Sequence, residues 1–142
     1  MDIKKIVDNI KEYDYSQINV DDFLDNRDIE QFETEWLKIY KQIDKVKIPE
    51  ELRNMSDNLR KDVFLSIDEK IGVSELSEYI SDDIELLIFA DYLGIDSEWF
   101  RRFIDMYENG ELPTGELWCT KLKWLFWSFG LEREKWDEQN KL

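Results

Sequence analysis

The 142-residue chain carries 34 Asp and Glu against 19 Lys and Arg, a formal net charge of −15, and no His. Such a charge argues against wrapping a nucleic-acid backbone or lying on an anionic membrane, because phosphates repel the surface. Without His there is no Ser-His-Asp or Cys-His nucleophile system, no imidazole-ligated zinc and no histidine-held haem, while 42% apolar residues with six Trp, six Tyr and eight Phe supply a core.

The spacing of apolar residues is helical wherever it is regular. Ile3, Ile6, Val7 and Ile10 form an i, i+3, i+4, i+7 stripe and predict an opening amphipathic helix. Residues 11–27, rich in Asp, Asn, Tyr and Ser, read as a connector with at most a turn of helix. Phe32, Trp36, Ile39, Tyr40, Ile43 and Val46 mark a longer second helix. Pro49 ends that run and suits position N1 of a short helix reaching Met55.

Asp57 is the natural cap of the next helix, with Leu59, Val63, Phe64, Ile67 and Ile71 on one face and Gly72 as its stop. Ser74 opens another, in which Leu76, Ile80, Ile84, Leu87 and Ile88 run inward as far as Gly94, with Ser81 and Asp82 as a potential break. Asp96 or Ser97 caps a helix holding Trp99, Phe100, Phe103, Ile104 and Tyr107, ended by Gly110 and Pro113. From Leu117 to Phe129 the apolar residues lie nearly all round, as in a central buried helix. Period-two alternation is almost absent and no helical repeat recurs. The pattern predicts one all-α domain over 1–142, a compact bundle or irregular array of about six to seven short antiparallel helices.

The acidity is local. Residues 57–113 hold 15 acids and five bases, and between Lys70 and Arg101 no cation offsets Glu75, Glu78, Asp82, Asp83, Glu85, Asp91, Asp96 and Glu98. On a continuous helix Glu75, Glu78, Asp82 and Glu85 fall at i, i+3, i+7 and i+10, one stripe opposite Leu76, Ile80, Ile84 and Leu87. Like charges at this spacing destabilise a helix, so the stripe serves either solubility or a cationic partner. A one-sign field speeds association and selects partners.

On physical grounds this fits a non-enzymatic, immunity-type inhibitor that neutralises a basic toxin or nuclease. Its candidate binding residues are Glu75, Glu78, Asp82, Asp83, Glu85 and Asp91, with Tyr79, Tyr92, Trp99 and Tyr107 as nearby aromatics that could anchor a contact, although the helical spacing of Trp99 and Tyr107 favours the core for those two. A DNA-mimicking inhibitor is the alternative. A further one is a magnesium-dependent all-α nucleotide phosphohydrolase, resting on the acid pairs Glu30/Glu33, Glu75/Glu78 and Asp82/Glu85. The favoured reading needs no catalytic residue, metal or cofactor, and it involves neither nucleic acid nor membrane. It leaves monomer or homodimer open. The lone Cys119 and a charged, interrupted N-terminal stretch favour a reducing cytoplasmic setting. The abundance of Ile, Lys and Asn is the residue usage of an AT-rich, low-GC bacterium or its phage.

Overall fold

The computed structural model describes residues 1–115 and Leu117. The described residues form six α-helices, one 3₁₀ turn and no strand: α1 (Ile3–Glu12), the turn Tyr15–Gln17, α2 (Val20–Arg27), α3 (Glu30–Asp44), α4 (Glu50–Ile71), α5 (Ser74–Tyr92) and α6 (Glu98–Glu108). The fold class expected from the spacing is therefore the observed one. The aromatic stretch 118–129, read above as the central helix, lies outside the described residues, and Cys119 with it.

Among the described residues the most buried helix is α5. Leu76, Ile80, Ile84 and the unbroken run Leu86–Ala90 are buried, so the helix is covered on nearly all sides. It pairs with α4 through a two-residue turn, in which Gly72 takes φ 68° and its N–H donates to the Asp68 carbonyl at 2.8 Å. A side chain would be strained in that left-handed conformation, which is why glycine ends α4. Helix α3 lies on α5, α2 on α3, and α1 bridges α4 and α6. Phe32, Trp99, Phe103 and Tyr107 build an aromatic wall in which ring centroids lie 5.0–6.1 Å apart.

Three local expectations are corrected. The stretch 11–27 contains a full helix, α2, capped by the Asn19 side chain, which accepts from the Asp22 N–H at 3.1 Å. Pro49 is the residue before α4 rather than its first member, and α4 runs for 22 residues straight through Met55 and Asp57. Packing of α4 on α5 sustains it where the local residues favour a cap, since tertiary burial contributes more to a helix than propensity does. Likewise α5 passes through Ser81 and Asp82 without a break. The Ser77 hydroxyl donates to the Val73 carbonyl and the Ser81 hydroxyl to the Glu78 carbonyl, so buried hydroxyls are satisfied within the helix.

Candidate functional site

The charges of α5 sort into an inner and an outer set. Asp83 is fully buried, and around it converge groups from three other helices. Arg27 of α2 donates through Nη2 to Oδ1 at 2.6 Å and through Nη1 to Oδ2 at 2.9 Å. The Trp36 indole N–H of α3 donates to Oδ1 at 2.9 Å, and the Tyr107 hydroxyl of α6 donates to Oδ2. Arg27 is itself buried, with its guanidinium carbon 4.3 Å from the Phe32 ring centroid. Desolvation works against its charge, but the field and hydrogen bonds of Asp83 more than offset this and hold the guanidinium protonated. Asp83 is thus a structural counter-ion joining four helices, and its assignment to a partner-binding surface is corrected.

The outer set is only partly free. Arg60 of α4 donates to Asp82 at 2.7 Å and to Glu85 at 2.5 Å, closing a three-residue ion network across α4 and α5. Partial burial pushes the Asp82 carboxyl up, with Arg60 opposing. Asp96 pairs with Arg101 and Glu98 with Arg102. The stretch that is uncompensated in sequence is therefore largely compensated in space. Glu75, Glu78 and Asp91 are exposed and have no cation partner among the described residues. Glu75 and Glu78 share the stripe of Asp82 and Glu85. Asp91, nine positions beyond Asp82, points about 180° away on a helix of 3.6 residues per turn and does not join them.

Beside this stripe runs a groove with α5 as its floor and α3 as a wall. It consists of two adjoining clefts that share Trp36, Leu37 and Asp82. The first, of about 190 Å³, is completed by Arg27, Asp28, Phe32, Glu33 and Tyr79. The second, of about 370 Å³, is completed by Tyr40, Ile43, Arg60, Glu85, Leu86 and Phe89. Trp36 is half-buried and stacks on Tyr40 at 5.7 Å, while Leu37 and Tyr40 stand exposed on the rim. Apolar side chains ringed by carboxylates, with an aromatic pair at the centre, are the composition of an interaction hot spot.

Of the proposed aromatic anchors, Trp99 and Tyr107 are core, Tyr92 is exposed, and Tyr79 lines the first cleft. The Tyr79 hydroxyl donates to Asp28 at 2.8 Å. That bond, with partial burial and the fields of Asp28 and Glu75, pushes its pKa up to about 12 from 10.0. Burial raises the Tyr15 phenol, and burial with the field of Asp83 raises that of Tyr107. A phenol whose folded pKa is raised contributes stability that is complete below its unfolded value and lost as pH rises through the folded one. We expect tyrosinate absorbance at these residues and loss of helicity to develop together above pH 10 and toward 12. Ionisation of all tyrosines near 10 with the helices intact would contradict this placement of the phenols.

Among the described residues the pairs weighed as metal ligands gain no third ligand. No group of three or more Asp, Glu or Cys converges among the described residues, and Asp82 with Glu85 closes on Arg60. No described helix is long and apolar enough to cross a membrane.

Fold and groove together describe an all-α protein with a cleft of aromatic and acidic side chains between α3 and α5. The family model for Immunity protein PIM1 matches residues 2–114, and the chain belongs to this family. No curated protein gives a significant match.

Proposed function

We propose that the protein protects its host cell by binding and neutralising a basic toxin, such as a nuclease, in the cytoplasm and without catalysis. Membership of the immunity family supports an inhibitor that binds a partner. The observation that carries the site is the patch of half-buried Trp36 with exposed Leu37 and Tyr40, lined by Glu33, Asp82 and Glu85 and continued along α5 by the free acids Glu75 and Glu78 of the same stripe, on a chain of net charge −15. Apolar contact would supply the residence time and the acids the rate and choice of partner. Asp82 and Glu85 pair with Arg60 and Asp83 with Arg27, which among the described residues leaves Glu75 and Glu78 as the free acids of the α5 stripe.

Affinity capture from the source organism at low and high salt, followed by co-expression of the captured toxin with this protein, tests the proposal. A retained basic protein whose toxicity is suppressed supports it, and suppression without any complex overturns it. Reversal of both free acids, Glu75→Lys with Glu78→Lys, should slow association with that toxin roughly 10-fold or more at low salt while leaving helicity unchanged. An association rate equal to the wild type would remove the stripe from the interface.

A further inference from the structure

On the reading of the protein as a toxin-binding inhibitor, we propose that the first cleft is a socket for one arginine side chain of the partner. The adjoining cleft shows what the groove accommodates. There Arg60, from the same chain, lies with its guanidinium between Asp82 and Glu85, in a cleft also lined by Trp36 and Tyr40. The first cleft is also built of aromatic rings and carboxylates. Its walls are Phe32, Trp36 and Tyr79, and its acids are Asp28, Glu33 and Asp82.

Its charges differ in one respect. Among the described residues the only cation lining it is Arg27, which is buried and neutralised by two hydrogen bonds to Asp83. Asp28 is engaged by a neutral phenol, and Glu33 has no cation partner among the described residues. The cleft thus presents negative charge to an incoming group; with Arg27 already over the Phe32 and Tyr79 rings at 4.3 and 5.7 Å, half-buried Trp36 is the ring it offers to a second guanidinium. A guanidinium matches both, since it is planar, stacks on rings and offers several donors to carboxylates placed on different sides. An ammonium lacks the plane, and an anion meets only acids at the rim.

The test uses the full chain and a probe that requires no toxin. N-acetyl-arginine amide is titrated into isotope-labelled protein and compared with its neutral isostere, N-acetyl-citrulline amide, following the Trp36 indole N–H and the amides of Glu33 and Tyr79. The arginine probe should shift these signals saturably, and citrulline should not. Glu33→Gln should weaken the arginine response about three- to fivefold, the scale of one exposed ion pair, whereas Glu69→Gln on α4 should not alter it. Equal shifts from both probes, no shift at Trp36, or an unchanged response in Glu33→Gln would overturn the socket. The probe reads the cleft directly, so such a failure leaves toxin capture to decide the inhibitor reading on its own.

Discussion

Replacing Asp83 by alanine should destabilise the protein by about 3–5 kcal/mol, the range for removing one partner of a buried ion pair. The side chain accepts from Arg27, Trp36 and Tyr107, so its loss leaves a buried guanidinium without a counter-charge, and a half-buried indole and a buried phenol without an acceptor. Small domains have about 5–15 kcal/mol in total, so the variant stands at the edge of folding. Asp83→Asn, which keeps the size but not the charge, should be nearly as damaging. The double variant Arg27→Met with Asp83→Leu should recover part of the loss, because no charge is then stranded, but not all of it, because Trp36 and Tyr107 still lack an acceptor. Urea unfolding followed by helicity measures all three. Wild-type midpoints in both single variants would mean that Asp83 does not organise the four helices.

Phe103→Ala should cost a similar amount, about 3–5 kcal/mol. The ring is fully buried and stands 5.0 Å from Trp99, 6.1 Å from Phe32 and 5.4 Å from Tyr107. Deleting it opens a cavity that these flat neighbours fill poorly. It also frees Tyr107 from the edge-on contact that holds its hydroxyl against Asp83, so the damage reaches the ionic centre. Tyr92→Ala, at an exposed position on α5, should stay within about 0.5 kcal/mol of the wild type. Equal losses for the two would place the core elsewhere.

The helices were legible where apolar residues alone set the period. The stripe Ile6, Val7, Ile10 of α1 and the series Trp99, Phe100, Phe103, Tyr107 of α6 are the buried faces themselves. Helix α2 was hidden because the inward position of its pattern Val20, Phe23, Leu24, Arg27 is filled by a charge. The same substitution of charge for bulk misplaced Asp83. It lies three residues after Ile80 and four before Leu87, on the inward face, and that spacing marked it as internal even though the run of acids around it suggested a surface. Its partner is 56 positions away, a distance at which no local pattern signals pairing.

The candidate groove was legible only as surplus. The stripe of α3 carries more large side chains than its core contact covers: Phe32, Ile39 and Ile43 are buried, and Trp36 and Tyr40 are left over. Acidity was legible as a sum but not as a surface, because Arg27 and Arg60 reach α5 from α2 and α4.

The most direct test of the groove as the toxin-binding face is site-specific photo-crosslinking of the toxin complex. A benzoylphenylalanine is placed at Leu37, on the groove rim, and separately at Leu65, which is exposed on α4 and does not line either cleft. Crosslinking of the toxin from position 37 and not from position 65 is the expected result. A complex that forms normally but crosslinks only from position 65 would place the interface on another face and contradict the account.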